Sequence, residues 1–184
     1  MEERVLETER LVLRRTVFED CDYFVEWEEL PEVNQNLWIT NDHSYKEIVT
    51  DFIHDSQDPA KEQFVIVQKK ENRPIGRILI TKINHEADSC NLTRVYIADL
   101  SLRRQGYGEE AVRAVLEYCF IQLHMERVSL DHLKGDEAAA SLSRKLGCVE
   151  EGVMRHAAKR NGKYVDLYRM SLLRAEYYDR LHDR

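Results

Sequence analysis

With 184 residues, 43% hydrophobic and 33% charged, the chain has the make-up of a soluble globular protein. It fits a single domain over 1–184, large enough to bury a core without disulfide or metal staples. The formal net charge of −7 argues against a nucleic-acid partner and suits a cationic acceptor such as a free amine. No run approaches the ~20 apolar residues of a membrane span, and the start Met1-Glu2-Glu3-Arg4 is too charged for a signal peptide. Cys21, Cys90, Cys119 and Cys148 form no C-x-x-C pair, so neither zinc nor a redox couple is signalled. The expectation is a cytoplasmic protein with buried thiols, no metal and no membrane contact.

Arg10-Leu11-Val12-Leu13-Arg14 alternates and predicts a first strand, with Val5 before it in the same pattern. Glu19 or Asp20 can cap a helix whose apolar face is Tyr23, Phe24, Trp27 and Leu30, and Pro31 helps to end it. Asn34 to Asp42 reads as a polar loop around Trp38. Ser44 followed by Glu47 is a capping-box pattern for a second helix reaching about His54. Three strands follow at Phe64–Val67, Ile75–Ile83 and Cys90–Ala98, with turns at Glu71–Pro74 and His85–Ser89, and the short turns imply an antiparallel meander. The period then changes: Ala111, Val112, Val115, Leu116, Cys119, Phe120 and Leu123 recur at helical spacing. A short strand at Val128–Leu130 precedes a helix from Ala138 to Leu146 that Gly147 stops. Val149–His156 and Tyr164–Leu172 close the chain as a hairpin around Asn161-Gly162.

The stretch that carries chemistry runs from Val95 to Gly108, out of a strand and into the start of the long amphipathic helix. A helix start offers unpaired N–H groups and a partial positive charge. Gly106 and Gly108 lack a Cβ and let backbone approach a phosphate, and Arg103 and Arg104 add charge. The construction suits a pyrophosphate. No Lys-Ser/Thr pair follows, so it is not a nucleotide P-loop, and Ala111 is a poor stand-in for the third glycine of a dinucleotide fingerprint.

Arg103-Arg104-Gln105-Gly106-Tyr107-Gly108 resembles the R-x-x-G-x-G signature of the GNAT superfamily of acyl-CoA-dependent N-acetyltransferases. The resemblance extends to Thr8–Arg14, which looks like the opening of the RimJ/RimL-type branch, to Lys145-Leu146-Gly147-Cys148-Val149-Glu150-Glu151-Gly152, and to Asn161–Asp166. It implies a mixed α/β fold whose central sheet splays between its fourth and fifth strands, flanked by about four helices. It implies acetyl-CoA as co-substrate: pantetheine pairing with the backbone of Val95, Tyr96 and Ile97, pyrophosphate on amides from Arg104 to Gly108, and an oxyanion held by a backbone N–H of the fourth strand. An amine, on a small molecule or a protein N-terminus, would attack the thioester directly. Exposed sheet edges of this fold often pair, which leaves oligomeric state open with a homodimer among the alternatives.

Several positions depart from the family pattern. Asp136 stands where many members place a pantetheine-holding Asn, and Ser143 where many place a thiolate-protonating Tyr. Ala139 replaces a Ser used in the RimJ/RimL branch, and Cys148 replaces a phenylalanine. Asp136 is still taken as a cofactor contact and Ser143 as the candidate acid. Trp38, Tyr164 and Asp166 are the acceptor-side candidates. These departures leave a second reading open, a non-catalytic acyl-CoA-binding module.

Overall fold

A computed structural model describes residues 6–37 and 44–182. Eight strands form one sheet: β1 (Leu6–Glu7), β2 (Leu11–Arg15), β3 (Glu62–Gln68), β4 (Arg73–Asn84), β5 (Ser89–Ile97), β6 (Arg127–Leu133), β7 (Val149–Arg160) and β8 (Lys163–Leu173). Their order is β1-β2-β3-β4-β5-β6-β8-β7. Neighbours are antiparallel except β5 and β6, which are parallel. A parallel pair needs a crossover, and α4 (Tyr107–Glu117) with the π-helical turn Tyr118–Gln122 supplies it. The other helices are α1 (Asp20–Glu29), α2 (Pro31–Asn34), α3 (Tyr45–Gln57), α5 (Glu137–Leu146) and α6 (Arg174–His182).

The middle of the sheet is buried on both faces, while β7 at its edge is largely exposed. Beneath α4 and α5, Leu11, Leu13, Phe64, Ile66, Ile78, Ile80, Leu92, Val128 and Leu130 meet Ala111, Val112, Val115 and Leu116 of α4 and Leu146 of α5. On the opposite face Val65, Val67 and Ala98 meet Cys21, Phe24 and Trp27 of α1 and Ile48 of α3. Side chains alternate across a strand, so β3 contributes Phe64 and Ile66 to one core and Val65 and Val67 to the other. This is why the run Phe64–Val67 shows no polar alternation in sequence.

The sheet, its mixed pairing and the helical crossover agree with the expected fold. Four details differ. Leu6–Glu7 adds a short strand before the expected first one. Pro31 starts a further helix instead of only ending α1, because a proline at a first helical position loses no bond. The expected turn at Glu71–Pro74 is displaced, with Arg73 and Pro74 already paired to Gln68 and Val67. The described residues end in α6, whose Tyr177 stacks on Phe120 at 4.8 Å. A helix with no fully buried residue leaves little periodic signal to read.

Candidate functional site

The site begins where β5 leaves β6. Their pairing covers only Ser89–Leu92 against Arg127–Leu130. Beyond it β6 continues beside β8 to Leu133, and β5 continues beside β4 to Ile97. The divergence starts at a bulge. Leu79 faces Thr93 and Arg77 faces Tyr96, so Ile78 opposes both Arg94 and Val95, and Arg94 has a φ of 47°. Past the bulge the Ala98 N–H donates to the Ile75 carbonyl at 2.8 Å. Strand alternation then turns the Ile97 N–H and carbonyl toward the edge that β6 has left. Gly76 lies across from Ile97, and a Cβ there would collide with the Tyr96 carbonyl, so only glycine lets β4 support this stretch so closely.

The chain leaves β5 through Leu100–Leu102 and enters α4 through the glycine turn. Arg104 and Gly106 have φ of 61° and 85°, an arrangement that gathers backbone N–H groups into a concave nest. Gly106 is the residue before the first turn of α4. At Gly108 an added Cβ would find only Ile97 Cγ1 at 3.8 Å, so that glycine keeps space open in front of the helix start. The turn is held from behind. The Arg10 guanidinium donates to the Gln105 carbonyl at 2.9 Å and to Glu110 Oε2 at 2.6 Å, and lies 4.2 Å from the Tyr107 ring centre. Glu110 also accepts from the Thr8 hydroxyl and the Arg10 N–H. Burial works against its charge, but these donors outweigh it and hold its pKa below the ordinary carboxylate value. The shape of the turn is therefore fixed by the first strand region, a coupling that the local motif does not reveal.

The residues singled out from sequence have the following surroundings. Val95, Tyr96 and Ile97 form the bulged edge. Arg103 gives its guanidinium to the Ile97 carbonyl at 3.1 Å and the Glu32 carbonyl at 3.3 Å, which ties the turn to α2. The Gln105 side chain bonds the Ser101 carbonyl at 2.7 Å. Tyr107 is buried and its hydroxyl accepts from Gln68 at 3.0 Å. Asp136 caps α5, accepting from the Ala139 N–H at 3.0 Å. Ser143 is only 2% exposed, on the inner side of α5 with Ala140 and Leu146. On the closing hairpin, Asp166 accepts from the His156 N–H at 2.9 Å, and exposed Tyr164 stacks on His156 with ring centres 5.4 Å apart. Arg160 of β7 reaches the Gln35 carbonyl at 2.6 Å and the Asn34 carbonyl at 3.1 Å, drawing the hairpin to the end of α2. Trp38 lies outside the described residues. Cys148 is buried, which pushes its thiol up to about 12 and makes it a poor nucleophile.

Sequence reading missed a buried charge cluster under the bulge. Glu28 of α1 is 0% exposed. It accepts from Arg77 at 3.0 Å, from Arg94 at 3.0 and 3.1 Å, and from the Tyr96 hydroxyl at 3.0 Å. Arg77 also donates to Gln63 and lies 4.0 Å from the Phe24 ring centre, and Arg94 reaches Asp51 of α3 at 3.2 Å. Burial alone would depress the Arg94 pKa, but the Glu28 carboxylate outweighs it and the guanidinium is held charged. Burial, reinforced by Glu28, pushes the Tyr96 phenol well up, so it stays protonated and donates. The available signal was weak: Glu28 interrupts the apolar face of α1 beside Trp27, and Arg77 and Arg94 sit inside strands otherwise rich in Ile, Leu and Val.

Among the described residues no group of three or more His, Cys, Asp or Glu side chains is placed to hold a metal ion, and no helix is long and apolar enough to cross a membrane.

Residues 10–149 match the sequence profile of the acetyltransferase (GNAT) domain family. The uncharacterized N-acetyltransferase p20 of Bacillus licheniformis is 29% identical over 175 residues, 94% of this chain and 97% of its own length. The spermidine N(1)-acetyltransferase of Vibrio cholerae is 27% identical over 73% of this chain and 75% of its own. The crystal structure of the Vibrio cholerae spermidine N-acetyltransferase with CoA and spermine superposes with a TM-score of 0.82 at 22% identity, covering 93% of this chain and 99% of that one.

Proposed function

The chain belongs to the acetyltransferase (GNAT) domain family and is an N-acetyltransferase that uses acetyl-CoA, and from that premise we propose that its acceptor is a primary amine on a small polycation. The observation that carries this reading is the charge of the two helices over the bulge. The exposed carboxylates Asp22, Glu26 and Glu29 lie on α1, which has no lysine or arginine, and Glu47 and Asp51 are exposed on α3 beside a single lysine, Lys46. Both helices touch the bulge, through Glu28 and Asp51 on Arg94. A cleft lined by one sign of charge concentrates ligands of the other. Spermidine as the substrate of two bacterial relatives agrees with this.

The residues present fit the co-substrate. The edge that β6 leaves offers the Val95 N–H and carbonyl and the Ile97 N–H to the pantetheine amides, as to an added strand, with the Tyr96 backbone between them turned to β4 and the Ile97 carbonyl accepting from Arg103. The nest from Arg104 to Gly108 and the start of α4 offer donors to the pyrophosphate, with Arg103 bracing the turn. Asp136 stands at the start of α5 as the pantetheine-side contact, and Ser143 is the candidate acid of that helix. Acetyl-CoA supplies an activated acyl group, and the protein supplies placement. Holding amine and thioester together replaces a bimolecular encounter. A backbone N–H beside the β5 bulge, fixed from beneath by the Glu28 cluster, would stabilise the charge that develops on the carbonyl oxygen, an effect of about 100- to 1000-fold. Trp38, Tyr164 and Asp166 are assigned to the acceptor mouth, and the RimJ/RimL-type branch is inferred from Thr8–Arg14 and Lys145–Gly152.

The test is release of CoA thiol with spermidine, spermine, aminoglycosides and peptides bearing a free N-terminus. Turnover with the polyamines, weakening as salt rises, is expected. Turnover with the peptides alone would overturn the acceptor assignment. CoA binding without turnover of any amine would favour the non-catalytic reading.

A further inference from the structure

His132 is a buried histidine that the reading above does not use. It is 6% exposed, on β6, two residues beyond Leu130, the last position paired with β5. At about 3.3 Å per residue it stands roughly 7 Å past the apex of the split. The same step along β5 from Leu92 reaches Arg94, so His132 is level with the bulge. Strand alternation puts it on the face of Val128 and Leu130, beneath α4 and α5. With the pyrophosphate on the turn before α4 as proposed above, a pantetheine arm paired with the β5 edge would run back toward the apex and bring its sulphur toward this level.

The ring is oriented and half-satisfied. Nδ1 lies 3.1 Å from the Leu133 carbonyl, which can only accept, so Nδ1 carries the hydrogen. The neutral ring then has its lone pair on Nε2, and Nε2 has no hydrogen-bond partner although buried. The Leu133 carbonyl also accepts the Asp136 N–H at 3.0 Å, so the first turn of α5 helps to set the ring. Tyr168 of β8 is the titratable group against the ring, with centres 5.7 Å apart. Asp131 turns to the other face, where Arg169 and Asn91 hold it. On the helices over this face, Glu109 pairs with Arg113 and Lys145, Glu110 with Arg10, and Asp136 caps α5.

We propose that His132 is the proton carrier of the transfer, a role that rests on the acetyltransferase reading above. Nε2 takes a proton from the amine nitrogen as the carbon–nitrogen bond forms. It returns that proton to the sulphur as the carbon–sulphur bond breaks. One proton passes from nitrogen to sulphur, the ring ends neutral as it began, and no oxidant, reductant or metal takes part. His132 would then take the acid role in place of Ser143, which stands on α5 at the position where many family members have a tyrosine.

The test compares wild type with His132→Gln, which keeps an amide near the Nε2 position and cannot relay a proton. With the best amine, kcat should fall about 100-fold or more while KM for acetyl-CoA changes by no more than about threefold. Independently of turnover, the ring resonances of His132 in the wild-type protein should move when CoA is added, and this reading stands even if the variant fails to fold. Undiminished kcat, a rise in KM alone, or ring resonances unmoved by saturating CoA each overturn the proposal. Absence of turnover by the wild type with every amine sinks the transfer reading and the proton role with it, whereas full turnover by the variant sinks the proton role alone.

Discussion

Glu28 of α1 and Arg94 of β5, 66 residues apart in the chain, meet through both carboxylate oxygens at 3.0 and 3.1 Å, where neither side chain is appreciably exposed. Arg94 is also the residue with positive φ at the bulge. The pair therefore joins α1 to the backbone irregularity that opens the split. A buried ion pair carries a large desolvation cost and contributes little net stability, but leaving one partner alone is expensive.

Glu28→Gln should expose this asymmetry. The substitution keeps the shape and leaves Arg77 and Arg94 buried with Asp51 as the remaining acid in contact. A loss of about 3–5 kcal/mol is expected, which for a chain of this size lowers Tm by roughly 10 °C. Acetyl transfer should fall further than the lost stability explains, because the bulge is no longer held. Thermal unfolding followed by circular dichroism checks the first part. A Tm within 2–3 °C of wild type, about 1 kcal/mol, would show that the cluster is not under the stated constraint.

The two glycines of the turn should separate folding from binding. At Gly108 φ is ordinary and a Cβ has room, so Gly108→Ala should fold with unchanged Tm and bind CoA more weakly, and Gly108→Val more weakly still. At Gly106 φ is 85° and a Cβ would stand 3.3 Å from an Arg10 nitrogen. Gly106→Ala should therefore lose about 1–2 kcal/mol of stability as well as affinity. Calorimetric CoA titration beside thermal unfolding distinguishes them. Equal effects in both assays at both positions would contradict the assignment of Gly108 to phosphate approach.

Asp136 caps α5 through an acceptor oxygen, a task Asn performs about as well. Asp136→Asn should therefore leave stability unchanged while adding an N–H donor at the start of α5 and lowering KM for acetyl-CoA. Asp136→Ala should cost about 1 kcal/mol through the lost cap. Weaker acetyl-CoA binding by the Asn variant would remove Asp136 from the cofactor site.

Local chemistry made most of this legible in sequence. The turn before α4 could be read because glycines, a helix start and arginines are contiguous, and the last hairpin because Asn161-Gly162 suits a tight turn. The Glu28 cluster could not, because its members come from α1, α3, β3, β4 and β5, and nothing local distinguishes a buried arginine in a strand from an exposed one. Arg10 was read as the edge of a strand, yet it holds the Gln105 carbonyl 95 residues away. His132 carries no local signal either, since its interest lies in register: β5 stops pairing with β6 at Leu92, and only tertiary structure shows that.

The pH dependence of stability should report on the other side of the sheet. Arg127 of β6 holds Glu151 of β7 through two bonds of 2.5 Å, and the Ser171 hydroxyl donates to the same carboxylate at 2.7 Å. The Arg127 guanidinium first, against the opposing effect of burial and with help from the Ser171 hydroxyl, lowers the Glu151 carboxyl from 4.5 to about 2. A carboxyl depressed on folding binds fewer protons folded than unfolded, so its contribution is fully present above the unfolded value. That contribution is lost as pH falls from about 4.5 toward 2. Other carboxylates titrate in the same window, so the informative quantity is the difference between wild type and Glu151→Gln. The urea midpoint of the wild type should fall more steeply with acid than that of the variant, and the two should converge near pH 2. The Glu151 side chain is 36% exposed, so the difference should be small and should shrink in high salt. Parallel midpoints from pH 5 to pH 2 would mean that Arg127 and Glu151 do not hold this edge of the sheet in solution.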